Sequence, residues 1–237
     1  TSGQIAGITF HLYPGGNSEL VQAGAAERQP LHSPEWLATC QKLADSFVPT
    51  VLQLGLPYRL DEANSFWNGG AKDVSDTQAA SIWALDYLWW WAAQGASGLN
   101  FHTGDTVAKG ETNTPCYYAL FWSAPDGYAV HPVAYAFKAF DAGFGHGQGR
   151  ITPVTIAANA DHLNLTAFGV RLPDRSLLVT IINKEIGPGA RAAEITTDAA
   201  AAHVQTMRLE SRTGDPAAKD ATNFGGSGIS DAGAWTS

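Results

Sequence analysis

The sequence is poor in charge, cysteine and methionine. Charged residues make up 15% of the 237 positions, against 45% hydrophobic. That balance excludes a chain kept unfolded by its own charge and allows a sizeable core. Basic residues are scarcer than acidic ones, 14 against 22, so the net charge is −8. Non-specific nucleic-acid binding is thereby disfavoured. An anionic substrate is not, because backbone N–H groups can hold a carboxylate without a cation. The two cysteines, Cys40 and Cys116, lie far apart, show no metal-ligand spacing and set no redox compartment. No apolar run reaches 18 residues, so no membrane-spanning helix is expected. No segment has the form of a signal peptide, which decides nothing if Thr1 is not a native start. GxSxG, HExxH, CxxC, a P-loop and a GxGxxG after a strand are all missing, and the chemistry is expected to need no metal or organic cofactor.

Turn formers and tryptophan are plentiful: 25 Gly, 12 Pro and eight Trp. Tryptophan is most often core, but flat aromatic faces also serve sugar-binding clefts. Residues 5–13 read as a strand, and Ser33-Pro34-Glu35 as a helix start with Ser as N-cap and Pro at the first helical position. That helix is expected to reach about Phe47. Residues 51–60 then read as a strand buried on both faces. Ser75-Asp76-Thr77-Gln78 reads as a capping box opening an aromatic helix over about 76–93, with Gly95 at its end. A short strand at 97–103, a long loop at 104–130 and a helix from His131-Pro132 to about Phe140 follow. This β-α-β-α-β-α order signals a parallel sheet with crossover helices.

The texture changes after Gly149. Short alternating strands at 151–157, 162–169, 176–183, 192–197 and 204–210 suggest a β-sandwich, with residues 223–228 as loop. Three βα units cannot close a (β/α)₈ barrel, which needs roughly 250 residues alone. The expected fold is therefore α/β plus β: the last part of a TIM barrel over residues 1–148, then a β-sandwich domain over 149–237.

The sharpest chemical signal is Tyr58-Arg59-Leu60-Asp61-Glu62-Ala63-Asn64-Ser65. A carboxylate at the C-terminal end of a parallel barrel strand faces the active site. Strand alternation groups Glu62 with Leu60 and Tyr58, and Asp61 with Arg59. Glu62 is expected to point into the cleft, with Arg59 and Asp61 paired at the strand–helix interface. The strand alone leaves open that Glu62 is a solvated loop acid.

The run Arg-Leu-Asp-Glu-Ala-Asn-Ser-Phe-Trp-Asn-Gly-Gly, followed by Val-Ser-Asp-Thr-Gln-Ala-Ala and an aromatic helix, resembles the heparanase-like glycoside hydrolases, family 79, especially their bacterial β-glucuronidases. The resemblance covers most of the chain and is most specific between Leu54 and Gln78. It implies a retaining β-glucuronidase acting on glucuronic acid-containing carbohydrates, in a secreted or periplasmic bacterial protein. It implies that the strands at 5–13, 51–60 and 97–103 are barrel strands six to eight. Glu62 then matches the nucleophile, and Tyr13 a tyrosine that hydrogen-bonds and orients it. His11, Asn64, Trp67, Asn68, Gly69, His102 and Gly104 correspond to substrate-binding positions. The alternative for both His11 and His102 is a satisfied core histidine. Trp67 stands where a Tyr is expected, and Asn68 where a Gly is common. The family's acid/base Glu follows an Asn, and the sequence contains no Asn-Glu pair. That second carboxylate is expected on a preceding barrel segment, the chain's implied partner. Another retaining β-glycosidase acting on glucosides or xylosides, or a non-catalytic carbohydrate-binding fragment, are the alternatives.

Overall fold

The protein is described here by a computed structural model covering residues 5–21, 29–157, 159–186, 189–196 and 203–236. The first half contains β1 (Ile8–Leu12), a 3₁₀ turn (Ser18–Leu20), α1 (Gln29–His32), α2 (Pro34–Gln53), β2 (Tyr58–Ala63), α3 (Gln78–Ala93) and β3 (Leu99–Phe101). Two hairpins follow, β4 (Thr106–Lys109) with β5 (Thr112–Pro115) and β6 (Phe121–Ala124) with β7 (Gly127–Val130). Then come α4 (Pro132–Gly143), β8 (Arg150–Thr152), β9 (Leu165–Arg171) and β10 (Leu177–Asn183). The chain ends in β11 (Leu209–Ser211), β12 (Thr222–Phe224), β13 (Gly228–Ile229) and β14 (Trp235–Thr236).

β1, β2 and β3 form a parallel sheet in that order, with β2 in the centre. Tyr58 and Leu60 on β2 are fully buried, while Arg59 between them is exposed. Their side of the sheet packs on α3. That helix is apolar all round, which suits an element enclosed on every side. Its Trp83, Trp89 and Trp91 are 0–1% exposed. Trp36 is buried too, whereas Trp67 and Trp235 are exposed. Four of the eight tryptophans are thus buried in the core.

Helix α2 runs past Pro49 to Gln53, so the strand expected at 51–60 starts only at Tyr58. The reason is the stripe Trp36, Cys40, Ala44, Val48 and Val51, which buries one continuous helical face. Breaking the helix at Pro49 would expose its last two members, and that outweighs one lost backbone hydrogen bond. Gly55, at φ +68°, ends the helix: its N–H donates to the Leu52 carbonyl and that of Leu56 to Val51. This is a Schellman closure, and Gly95 ends α3 in the same way.

After residue 149 the described strands form a three-stranded antiparallel sheet, β10-β9-β8, and the pairs β11-β12 and β13-β14. The strand expected at 151–157 ends at Thr152, and the one at 204–210 begins only at Leu209. Val204 and Met207 remain exposed, so no alternating burial supports an earlier start. No strand occupies 192–196, and residue 197 lies outside the described residues. That segment holds one large apolar side chain, Ile195, which is exposed. Residues 223–228, expected as loop, contain part of β12 and the start of β13. The loop expected at 104–130 contains the two hairpins. The apolar core is continuous across residue 149. Val170, Ile182 and Phe224 belong to it, and the Trp89 ring stacks on Phe168 at 5.6 Å.

Candidate active site

Because the three strands are parallel, the residues after Leu12, Ala63 and Phe101 meet at one edge of the sheet. Strand β2 carries an irregularity there. Phe10 pairs with Leu60, but His11 pairs with Glu62, and on the other side Leu60 and Ala63 pair with Leu99 and Phe101. β2 therefore holds one residue more than either neighbour around Asp61 and Glu62. Such a bulge redirects side chains. It corrects the expected alternation: Glu62 does not share the buried face of Tyr58 and Leu60. Instead Asp61 and Glu62 both approach His11, at 3.6 Å from Nε2 and 3.7 Å from Nδ1 respectively. Arg59 does not pair with Asp61 either. Its guanidinium donates to Asn100 Oδ1 on β3.

The Tyr13 hydroxyl donates to Glu62 Oε1 at 2.7 Å. Burial, and then this bond to the carboxylate, hold the Tyr13 phenol well above its ordinary range. Tyr13 is consequently a donor throughout the physiological range, and a phenol donor stabilises an ionised carboxylate. Oε1 is fixed by this bond. Among the described residues, Oε2 has only the more distant His11 beside it. A carboxylate held by one oxygen and open at the other is arranged to attack with the second.

A second layer lies behind this pair. The Tyr118 ring centroid is 6.1 Å from that of Tyr13, and Tyr118 Oη is 2.8 Å from His102 Nδ1. Burial pushes the Tyr118 phenol up to about 12, so it stays protonated beside that nitrogen. Sequence reasoning did not single out Tyr118. It lies in the stretch read as a featureless loop, and nothing in its local pattern marks it. Asn64 is fully buried. Its amide nitrogen donates to the carbonyls of His102 and Tyr118, and its oxygen accepts from the Ser65 N–H. With those groups spent on backbone, Asn64 joins the loops after β2 and β3 rather than facing a substrate.

The segment after Glu62 makes a sharp turn in which Asn68, Gly69 and Gly70 all have positive φ, at 64°, 85° and 82°. Among the described residues, none of their N–H groups has a hydrogen-bond acceptor. The Gly69 carbonyl accepts from the Tyr117 N–H at 2.6 Å. Trp67 is 44% exposed beside them. The loop after β1 laces onto this turn: Gly15 N–H donates to Ser65 O, Trp67 N–H to Gly16 O, and Ser18 Oγ to Asn68 O. A Cβ on Gly15 would lie 2.4 Å from the Phe66 ring, so only glycine lets the two loops come this close. Gly104 follows His102 with φ +153°. The structure thus places His11 and Tyr13, Glu62 with Trp67, Asn68 and Gly69, and His102 with Gly104 at or just past the C-terminal ends of β1, β2 and β3, with Asn64 buried among them. Among the described residues, no cluster of three or more His, Cys, Asp or Glu side chains is placed to hold a metal ion, and no helix is long and apolar enough to cross a membrane.

No protein-family profile and no curated protein matches the chain. Solved structures do. The whole chain aligns with 48% of a 4-O-α-L-rhamnosyl-β-D-glucuronidase from Fusarium oxysporum 12S, crystallised with Rha-GlcA, at a TM-score of 0.73 and 18% identity. A looser alignment joins 78% of the chain to 39% of the GH51 arabinofuranosidase from Xanthomonas axonopodis pv. citri, at a TM-score of 0.46 and 13% identity. The chain spans about half the length of the glucuronidase, and over that span it has the fold of a part of a glycoside hydrolase.

Proposed function

We propose that this chain is the nucleophile-bearing part of a retaining β-glucuronidase of the heparanase-like family. The observation that carries the reading is the Tyr13–Glu62 hydrogen bond at the C-terminal edge of the parallel sheet. Glu62 attacks the anomeric carbon through its free oxygen and forms a glycosyl-enzyme, which water then hydrolyses. Retaining chemistry needs a second carboxyl group about 5–5.5 Å away, acting first as acid and then as base. Asp61 cannot fill that role, since it neighbours Glu62 on one strand and approaches from the same side. The acid/base Glu is assigned to a preceding barrel segment, with β1, β2 and β3 as strands six to eight and residues 149–237 as a β-sandwich domain.

The turn Trp67–Gly70 supports glucuronate as the sugar. Its unpaired N–H groups can receive a C6 carboxylate, and Trp67 offers a flat face to the ring. The test is a 2-fluoro glucuronide inactivator on the full-length protein, followed by peptide mass spectrometry. The label is expected on Glu62. A label on another carboxylate would overturn the assignment. Equal hydrolysis of nitrophenyl glucuronide and glucoside would overturn the specificity and leave the nucleophile standing.

A further inference from the structure

Helix α3 opens without the capping box its sequence suggests. Its N-cap is Thr77, whose hydroxyl turns back to donate to the Val74 carbonyl at 2.8 Å. The first helical N–H groups, on Gln78 and Ala79, donate to the carbonyls of Ala218 and Pro216 at 2.8 and 2.9 Å. Thr222 Oγ1 donates to Gln78 Oε1 at 2.6 Å. Lys219 Nζ reaches Asp73 Oδ1 at 2.5 Å and Asp76 Oδ2 at 2.7 Å. Residues 216–222, from the far end of the sequence, lie across the start of α3 as a strap.

What the strap grips is the tail of the loop that begins after Glu62. Ser75 sits between the two aspartates in sequence and is fully buried. Its Oγ bonds Ser65 Oγ at 2.8 Å and accepts from the Ala71 N–H at 2.9 Å, while its own N–H donates to Ala71 O at 2.8 Å. A Cβ on Gly70 would lie 2.9 Å from Ser75 Oγ. Ser65 in turn is held by Asn64, two residues from Glu62. Direct contacts therefore run from Lys219 through Asp76 and Ser75 to Ser65 and Gly70, on either side of Trp67–Gly69.

Two features make Lys219 the weak link whose loss the loop would feel. Asp76 is 4% exposed, and an isolated carboxylate there would be costly. Asp73 has φ +58°, a conformation a non-glycine residue keeps only when its surroundings hold it. Burial works against the charge of Lys219, but its bonds to Asp73 and Asp76 outweigh it and raise the ammonium above its ordinary range.

We propose that Lys219 is a positioning residue for the substrate loop: by bridging Asp73 and Asp76 it fixes Phe66–Ser75 against the Glu62 site. The consequence for turnover rests on the glycosidase reading; the consequence for the loop does not. The experiment compares wild type, Lys219→Ala and Lys219→Arg in the full-length protein by two measurements. Hydrogen exchange should speed up in the alanine variant at the amides of Ala71, Val74 and Ser75, while amides in the second half of α3 keep their protection. Hydrolysis of nitrophenyl β-glucuronide should show KM raised about threefold to tenfold with kcat within about twofold. Lys219→Arg should restore both. Unchanged exchange in the loop overturns the proposal. So does faster exchange spread evenly through α3, which marks a merely stabilising contact, and so does faster loop exchange with KM unmoved. If the wild type does not hydrolyse the glucuronide, the glycosidase reading fails, and loop exchange alone decides the positioning role.

Discussion

Lys184 Nζ and Asp86 Oδ2 lie 2.7 Å apart, with 2% and 0% of their side chains exposed. Asp86 belongs to α3 and Lys184 follows β10, so the ion pair joins the two halves of the chain inside the core. Thr166 on β9 donates to the other oxygen, Asp86 Oδ1, at 2.6 Å. Removing one partner leaves a buried charge alone. Lys184→Met is therefore expected to destabilise the full-length protein by about 3–5 kcal/mol. The double replacement Lys184→Met with Asp86→Leu should cost clearly less, because no charge is stranded. Denaturant melts of the two variants check this. Equal losses would mean that the pair is not energetically coupled.

Glu62→Gln should lower kcat of the full-length enzyme by roughly three orders of magnitude or more, with the melting temperature little changed. Tyr13→Phe should cost roughly one to three orders of magnitude, since it removes one preorganised donor and leaves the carboxylate in place. A Glu62→Gln variant with near wild-type turnover would remove Glu62 from the mechanism.

The placement of these two side chains was legible through the family resemblance: an acid near the end of β2 and a tyrosine just past the end of β1. The helix end at Gly95 follows a local rule; the end of α2 at Gly55 does not, since residues 51–60 read as strand. What the sequence hid is non-local. The bulge at Asp61–Glu62 is an accommodation among three strands, and no pattern within β2 announces it. The continuation of α2 past Pro49 depends on which neighbours cover Val48 and Val51. The cap of α3 comes from residues 216–218, far along the chain, so Ser75 and Gln78 are free to bond elsewhere although their spacing suits a capping box. Tyr118 reaches His102 because the β4–β5 hairpin brings the chain back to where it began, with Cys116 N–H donating to Asp105 O.

Acid should weaken the fold through two histidines. His32 is buried between the carbonyls of Ala79, 2.7 Å from Nε2, and Lys184, 3.3 Å from Nδ1. Burial lowers its basicity below the usual value of 6.5, and burial does the same to His131. Both rings bind their protons less readily folded than unfolded, so the unfolded state takes up more protons as the pH falls. The contribution is complete above about 6.5 and is lost below it, as protonation favours the unfolded chain. Melting temperatures measured from pH 7.5 down to 5.5 should fall for the wild type. His32→Asn should start lower at pH 7.5 and fall less steeply. Parallel curves would clear His32 of any part in the effect.

Residues 1–237 expressed alone should neither turn over a glucuronide nor behave as a monomer. Among the described residues β1 and β3 each pair only with β2, which leaves both edges of the parallel sheet open there. Open edges recruit other strands and lead to association. The side of the sheet away from α3 carries the exposed Thr9, His11, Arg59 and Asn100, a polar surface suited to a barrel interior that other strands would enclose. Under the proposed retaining mechanism the chemistry is incomplete for a related reason. Asp61 is the carboxylate that shares His11 with Glu62, and both come from one bulged strand, so neither can protonate a leaving group on the far side of the sugar. Light scattering on the isolated segment should report oligomers, and a nitrophenyl glucuronide assay should report no hydrolysis above the buffer rate. Adding the preceding segment, on the same chain or in trans, should restore both a defined size and activity. A monomeric 1–237 that hydrolyses the substrate would place the second carboxylate within these residues and would refute the division of the site proposed above.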